Sequence, residues 1–420
     1  MDRLIKLSLR SMLALAASAL AYFTTIGFVN AYGVFQQYYT AHYLPDYSNF
    51  QIAWLGSFAT FTLFACAAPA GTLADRYGPT IPICIGVILQ LLSIFMVSLC
   101  REYYQFFLAQ GVLLGISMAL INIPTSTIVP KYFKRHRGLA QGISIGGSSL
   151  GGVIWPIALD RMLNYDDIGF GWSMRIVGLA MMPMLAIAIL FLRKPVDLKS
   201  HEPTSGSEKG TATIASSAKQ SRKKRDLTSL KKPPYILLCL GLAIANFGYF
   251  VPLFYISTYA VSLGFSENLA FYLISILNGA SLFGRILPGL VADRYGHFNI
   301  MTIAVFLTGL IVFCWTTATS VAGLVIRAMA FGFISGAILS QMVAYATVLS
   351  TGESYGAGIG IGISMGSVSF TALFGTPIAG ELVKYGYIAL SCFSGSALMV
   401  GGVFIACSRL AQDRRILAQV

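Results

Sequence analysis

Gly71-Thr72-Leu73-Ala74-Asp75-Arg76-Tyr77-Gly78 recurs later in the chain as Gly289-Leu290-Val291-Ala292-Asp293-Arg294-Tyr295-Gly296. The second octapeptide begins 218 residues after the first in a chain of 420 residues, and each copy ends a long apolar stretch. A second pair of segments, 142–146 and 362–366, repeats in the same order. Matched segments half a chain apart indicate that one helical unit was duplicated, an arrangement typical of membrane proteins with two halves around a central site.

The composition points to a protein that faces lipid. The chain is 56% hydrophobic and 11% charged, whereas about a quarter of the residues in soluble domains are charged. Apolar stretches long enough to cross about 30 Å of hydrocarbon recur along it. We therefore predict an all-α integral membrane protein with twelve transmembrane helices. They cover residues 12–37, 50–72, 80–99, 104–128, 139–160, 172–192, 234–260, 268–290, 299–318, 322–348, 357–380 and 386–407.

One long polar stretch, residues 193–233, divides the chain. We predict an N-terminal six-helix half over 1–192, a cytoplasmic basic linker over 193–233, a C-terminal half over 234–407 and a cytoplasmic tail over 408–420, the halves being pseudo-symmetric. Most basic residues fall on the inner side of these spans. The outer side carries only four, at or beyond the span ends: Arg101, Arg161, Arg175 and Lys384. The positive-inside rule then places both termini in the cytoplasm, and we expect a multi-pass protein of the plasma membrane.

The net charge of +13 follows from this topology and does not predict a nucleic-acid partner. The seven cysteines lie in or at the ends of apolar stretches, and no pair has ligand spacing, so neither a metal site nor a disulfide framework is predicted. The sequence contains no nucleotide-binding loop, and the spans contain no nucleophile or acid–base pair. We therefore expect neither a cofactor nor an enzymatic activity.

The two octapeptides resemble the signature of the major facilitator superfamily, Gly-x-x-x-Asp-Arg/Lys-x-Gly, which lies between helices 2 and 3. The matching positions are Gly71, Asp75, Arg76 and Gly78, and again Gly289, Asp293, Arg294 and Gly296. The resemblance implies a gate at the cytoplasmic seam, where the Asp and Arg face other helix ends and glycine allows close backbone approach. A purely structural role, as an anchor of topology, is the alternative.

A narrower resemblance is to the monocarboxylate-transporter-like branch, especially its fungal members. The segments 132–142 and 27–36 carry it. The Asp-Gly-Gly stretch that precedes helix 1 in the family is missing. Val29 and Asn30 stand where animal carriers use a lysine, and Ser281 stands where they place an acid before the helix-8 arginine. The lactate-and-proton mechanism therefore does not transfer intact.

Two charged residues, Arg285 and Arg327, lie inside the predicted spans and away from their ends. Charges inside a membrane are costly, so each suggests a function. Arg285 corresponds to Ala67 in the first half, and the resemblance implies that it binds the substrate carboxylate. The alternative is an arginine that extends towards the cytoplasmic seam. Arg327 lies near the outer face, where it either attracts anions to a vestibule or simply reaches water.

Uncharged polar side chains in the spans are the next candidates. We predict substrate contacts for Asn30, Asn278 and Asn122, with Tyr32 and Phe331 as apolar and aromatic walls. An amide in a transmembrane helix more often bonds a neighbouring helix than a substrate, which is the alternative for each of the three.

These observations predict a secondary transporter that moves a small organic anion, a monocarboxylate or a carboxylate-bearing metabolite, by alternating access. Two alternatives stay open: efflux of a secondary metabolite, and a nutrient sensor that binds its ligand without moving it. The partners are a small molecule and the lipid bilayer. A co-transported proton is left open, because no carboxylate or imidazole lies well inside a span. Transport would then be facilitation without a proton, or it would use a proton carried by the substrate acid, or a proton relay through Glu381 or Asp160.

Overall fold

A computed structural model describes residues 9–133, 135–164, 168–193, 228–350 and 356–413. Within these ranges the ordered elements are helices, and none is a strand. Most of the predicted linker (193–233) and the end of the predicted tail (408–420) lie outside the described residues.

The described residues contain eleven helices that are long and apolar enough to cross a membrane, and a twelfth apolar helix, α9, of 17 residues. A helix of 17 residues spans about 25 Å, the lower limit for a crossing. In chain order they are α1 Leu9–Tyr43, α2 Phe50–Tyr77, α3 Thr80–Val97, α4 Tyr103–Tyr132, α5 Arg137–Leu163, α6 Phe170–Phe191, α7 Pro233–Ser262, α8 Leu269–Tyr295, α9 His297–Phe313, α10 Val321–Leu349, α11 Ala357–Val383 and α12 Tyr387–Gln412.

Helices α2 and α8 run further than the sequence predicts. The predicted spans end at 72 and 290, but the helices continue through the octapeptides to Tyr77 and Tyr295. Each ends at the final glycine of its octapeptide, Gly78 with φ 87° and Gly296 with φ 94°. Glycine adopts this left-handed conformation without steric cost, which is why it commonly ends a helix.

Helix α1 is interrupted, whereas the sequence predicts one continuous span over 12–37. Its parts are Leu9–Thr24, Ile26–Val29, Tyr32–Tyr38 and a π-helical turn, Tyr39–Tyr43. At the first interruption the Thr25 hydroxyl donates to the Ala21 carbonyl at 2.6 Å, a bond that competes with regular helix geometry. The second interruption leaves Asn30 and Ala31 outside regular helix.

Two glycine-lined seams join α1–α6 to α7–α12: α2 packs on α11, and α5 packs on α8. In the α2–α11 seam, a Cβ added to Gly358 would lie 2.5 Å from the Gly71 carbonyl oxygen. In the α5–α8 seam, a Cβ added to Gly138 would lie 2.5 Å from the Gly289 carbonyl oxygen. Both seams therefore require glycine where the helix backbones touch.

Candidate substrate-binding site and gate

The repeated aspartates close both seams at the ends of α2 and α8. Asp75 accepts hydrogen bonds from the backbone N–H groups of Gly358 (3.2 Å) and Ile359 (2.9 Å), in the first turn of α11. Asp293 accepts from Gly138 (2.7 Å) and Leu139 (3.0 Å), in the first turn of α5. The first N–H groups of a helix have no partner within the helix and favour a negative charge. We call the side of the molecule that carries residues 71–78 and 289–296 the octapeptide face.

The contact around Asp293 includes an additional polar group. Nε2 of His297, the first residue of α9, lies 3.7 Å from Asp293 Oδ1. Its Nδ1 lies 2.8 Å from Oε1 of Gln341 in α10, and both side chains are buried. Pro79 occupies the corresponding place in the first half. The sequence interpretation left every histidine outside the spans and so missed this group.

A cavity of about 1330 Å³ lies between the two sets of helices. One end of the cavity lies among helix ends on the side opposite the octapeptides. Its lining there includes Gln37 and Thr40 near the end of α1, and Lys384 just after α11. None of residues 71–78 and 289–296, all of which the structure describes, lines it. The cavity therefore opens towards the face opposite the octapeptides, while the octapeptide face is closed.

Arg285 lines this cavity and is only 3% exposed. Its Nη1 donates to the Ile145 carbonyl oxygen at 2.8 Å and to Ser148 Oγ, both on α5. Its buried Nε has no hydrogen-bond partner among the described residues. The structure thus places a guanidinium with an unused donor at the wall of the cavity.

Two tyrosines that the sequence interpretation missed lie beside this arginine. Tyr22 and Tyr249 line the cavity and are near enough to Arg285 to interact with its charge. The Tyr22 hydroxyl bonds Ser126 Oγ in α4, and the Tyr249 hydroxyl donates to the Ser335 carbonyl oxygen at 3.3 Å. Both side chains are uncharged, so the criterion of an embedded charge did not identify them.

Asn30 and Asn278 converge on one point of α5. A Cβ added to Gly152 would lie 2.7 Å from Asn278 Oδ1 and 2.9 Å from Asn30 Nδ2. The Asn30 amide donates to the Ser148 carbonyl oxygen at 3.5 Å, and the Asn278 amide donates to the Ile274 carbonyl oxygen at 3.1 Å. Both residues line the cavity close to Arg285, as does Ser148.

Asn122 lies on the α4 wall of the same cavity. Its Oδ1 accepts from the Thr25 hydroxyl at 2.8 Å, at the first interruption of α1. Its Nδ2 is buried without a hydrogen-bond partner in the described part of the chain. One end of this amide therefore bonds a neighbouring helix, and the other end remains unsatisfied.

Tyr32 and Phe331 also line the cavity, but neighbouring helices hold both of them. The Tyr32 hydroxyl donates to the Ile52 carbonyl oxygen, and its ring covers Gly56 in α2. Phe331 is 1% exposed and meets Trp315 edge to face, with 6.2 Å between the ring centroids. Both side chains shape the wall from fixed positions.

Arg327 is placed elsewhere. It donates to the carbonyl oxygens of Cys314 and Trp315 and, at 2.7 Å, to Thr317 Oγ1, and it does not line the cavity. These acceptors follow the C-terminal end of α9, where a cation is favourable. The sequence could not anticipate this role, because the turn after α9 was predicted as part of a span.

The mouth of the cavity carries an ion pair and several aromatic rings that sequence reasoning also missed. Lys384 lies 2.8 Å from Glu381, and both side chains are well exposed. Phe50, Trp54 and Phe254 line the walls. Aromatic residues are common all along this chain, so their number alone gave no signal of which ones face the cavity.

Comparison with known proteins agrees with this arrangement. The family model described as Major Facilitator Superfamily matches residues 12–361. The chain belongs to the major facilitator superfamily. It is therefore a membrane transporter of that superfamily rather than an enzyme, and its helices form the two pseudo-symmetric halves of that fold.

Several fungal relatives of this superfamily member match along nearly the whole chain. The agnestins efflux protein AgnL12 of Paecilomyces divaricatus is 42% identical, over 96% of this chain and 88% of that protein. An MFS-type transporter of Aspergillus fumigatus is 42% identical, over 97% of this chain and 94% of that protein. The aspyridones efflux protein apdF of Emericella nidulans is 39% identical, over 93% and 76% respectively.

Proposed function

We propose that this transporter exports a secondary metabolite that carries an acidic group, and that Arg285 binds that group. The observation behind the proposal is a buried guanidinium on the wall of a cavity of about 1330 Å³. Sites for drug-sized ligands typically measure about 300–1,000 Å³. A small monocarboxylate would leave most of this cavity unfilled. The size of the cavity therefore favours a secondary metabolite over a small organic anion, the other substrate class that the sequence left open.

The names of the relatives support export. Two of them are named as efflux proteins, one for agnestins and one for aspyridones. For this chain, the relatives thus favour efflux of a secondary metabolite over movement of a small organic anion. The monocarboxylate-transporter-like branch remains part of the proposal because Arg285 is present, although Ser281 replaces the acid of the animal carriers.

Recognition would use the planar guanidinium of Arg285, which matches the two oxygens of a carboxylate. The Nε of Arg285 is buried without a partner among the described residues, so one donor of the guanidinium is unused while the cavity is empty. Tyr22 and Tyr249 approach the same charge from α1 and α7. Asn30 and Asn278 lie next to the partner of Arg285 on α5 and would bond polar groups on the remainder of the molecule.

Alternating access would use the two aspartate-closed seams. With the termini in the cytoplasm, as the charge distribution predicts, the octapeptide face is cytoplasmic and the cavity faces outwards. For an exporter in the plasma membrane this is the state that releases substrate. Loading requires α2 to separate from α11 and α5 from α8, which breaks the bonds of Asp75 and Asp293.

The acid would move as its anion, because Arg285 binds the carboxylate form. Among the residues that line the cavity, the carboxylate is Glu381, which lies near the mouth and pairs with Lys384. It is exposed there and far along α11 from the octapeptide face. Movement of the anion requires no proton relay in the wall.

The test is flux through the purified transporter in proteoliposomes, with and without a pH gradient. Agnestins, aspyridones, lactate, and the fluorescent acid 1-pyrenebutyrate with its neutral methyl ester form the panel. We expect movement of large acids but not of lactate or the ester, and loss of acid flux in Arg285→Ala. Equal flux of acid and ester would overturn the role of the acidic group. Binding of the acid without flux would favour the sensor.

A further inference from the structure

Both hydrogen bonds of Arg285 cross the α5–α8 seam. The arginine belongs to α8, and its acceptors, the Ile145 carbonyl oxygen and Ser148 Oγ, belong to α5. The Ser148 hydroxyl also donates to the Ile145 carbonyl oxygen at 2.8 Å, which fixes its lone pairs for the guanidinium. One side chain therefore joins the two halves of the transporter at the wall of the cavity.

Among the described residues of the α2–α11 seam, no side chain makes a matching bond at this crossing. The backbone of Gly142 packs against the Arg285 carbonyl, and Gly362 packs against the Ala67 carbonyl in the matching way. At this crossing the α2–α11 seam therefore offers only the methyl group of Ala67. The two seams share the aspartate bonds and the glycine contacts, and at this crossing the α5–α8 seam differs by one cationic side chain.

We propose that Arg285, Ser148 and the Ile145 carbonyl form a tie that holds the octapeptide face closed while the carrier is empty, and that an acidic substrate releases it. Opening that face moves α5 away from α8. Without a substrate, the movement would break both hydrogen bonds of a guanidinium that is 3% exposed in the closed state and leave only water to replace them, which is unfavourable. A bound carboxylate supplies new acceptors, and the Nε, which is buried without a partner among the described residues in this state, becomes accessible to them as α5 and α8 separate. Ser148 is then a positioning residue, and this inference rests on the proposed function.

The tie can be tested in the absence of any substrate. Ile359 is buried, and its N–H bonds Asp75 in the other seam, so Ile359→Cys reports opening of the octapeptide face without touching the tie. The reporter is placed in a chain whose seven native cysteines are replaced, and an impermeant maleimide is applied from the octapeptide face. Loss of one hydrogen bond to a charged group should raise the labelling rate of Ser148→Ala by roughly tenfold.

Ser149→Ala is the matched control. Ser149 is the next residue of α5, it is equally buried, and its hydroxyl has no partner among the described residues. Ser149→Ala should label at the same rate as the reporter chain that carries Ile359→Cys alone. Ser148→Thr, which keeps the hydroxyl, should return to within about twofold of that rate. If Ser148→Ala labels no faster than Ser149→Ala, the tie does not hold the face closed and the inference is wrong.

Flux of 1-pyrenebutyrate separates this inference from the proposed function. In the transporter with Ser148 intact, the rate of exchange of internal for external acid should exceed the rate of net flux, because only the loaded carrier releases the tie. Ser148→Ala should bring net flux close to exchange. Equal net flux and exchange in the transporter with Ser148 intact would contradict release by substrate. If the acid is not moved at all while the labelling difference persists, the proposed function fails and the tie between the halves stands.

Discussion

Asp75 bonds the first turn of α11 and Asp293 bonds the first turn of α5, each across a seam between the halves. The two residues are 218 positions apart, and their partners are 283 and 155 positions away along the chain. The duplicated octapeptide thus closes the same face of the molecule twice. Its aspartates do not line the cavity, so we expect them to act on which face is open rather than on the ligand.

Asp75→Ala and Asp293→Ala should change turnover more than affinity. Each removes an acceptor of two backbone N–H groups at a helix terminus, worth about 1–3 kcal/mol, from one state of the carrier only. Flux measured over a range of 1-pyrenebutyrate concentrations should show the larger change in kcat. Thr72→Ala is the control, because its hydroxyl bonds only its own helix, at Ala68. An equal loss of affinity in both aspartate variants with unchanged kcat would contradict a gating role.

Arg285→Ala should weaken binding of an acidic substrate by roughly ten- to over a hundredfold, the equivalent of about 1.5–3 kcal/mol for a charge-assisted bond. Arg285→Lys should recover only part of it, because an ammonium lacks the planar fork. Arg327→Ala is the matched control, since that arginine caps the end of α9 outside the cavity. Binding of 1-pyrenebutyrate to correctly inserted protein is the measurement. Wild-type affinity in Arg285→Ala would refute the role of the guanidinium.

Gly142→Ala should destabilise the state with the octapeptide face closed. The new Cβ would collide with the Arg285 backbone, which cannot move independently of α8. We expect a lower Tm and faster labelling of the Ile359→Cys reporter. Gly279→Ala is the control, because a Cβ at that position of α8 meets no atom within 4 Å. A Tm loss of the same size in both variants would show that the seam contact is unimportant.

Thiol labelling should reveal the topology. Cys314 is exposed on the face opposite the octapeptides, and an impermeant maleimide should label it from outside intact cells. Burial raises the pKa of the Cys100 thiol to about 11. The thiolate is the reactive form, so Cys100 should stay unlabelled near pH 7 and gain reactivity only as the pH approaches that value. Tyr77→Cys, exposed on the octapeptide face, should label only in inside-out vesicles. The reverse pattern would invert the proposed orientation.

Much of the fold could be read from the sequence, because lipid imposes strong constraints on a chain. A span must be apolar and helical, so eleven long helices and the shorter α9 lie where the apolar stretches predict them. The ends of α2 and α8 were predicted too early, because Asp75 and Asp293 were expected outside the helices. Their charges are accommodated in the last helical turns by backbone donors from other helices, and the sequence of one segment does not reveal such partners.

The candidate site was predictable in part, because lipid makes an embedded charge costly. A lone embedded charge is rare, and the structure brings Arg285, Asn30, Asn278 and Asn122 to one cavity. What the sequence could not supply were pairings between distant segments. The acceptors of Arg285 lie 137 and 140 residues away on α5. The role of Arg327 depends on where α9 ends, and the Asp293–His297–Gln341 group depends on how α8, α9 and α10 meet.

The interruptions of α1 have a mechanical consequence. The first part, Leu9–Thr24, packs on α5 and α6, whereas the part beyond Asn30 lines the mouth of the cavity and makes fewer contacts. Rotation at Asn30 and Ala31 would tilt Tyr32–Tyr43 across the opening while the first part keeps its neighbours. That rotation first has to break the bonds from Tyr32 to Ile52 and from Tyr39 to Gln110. The cavity could then be sealed by a dozen residues bending inwards, before either bundle of six helices moves as a body. An occluded complex would in that case form as a separate, early step of the transport cycle.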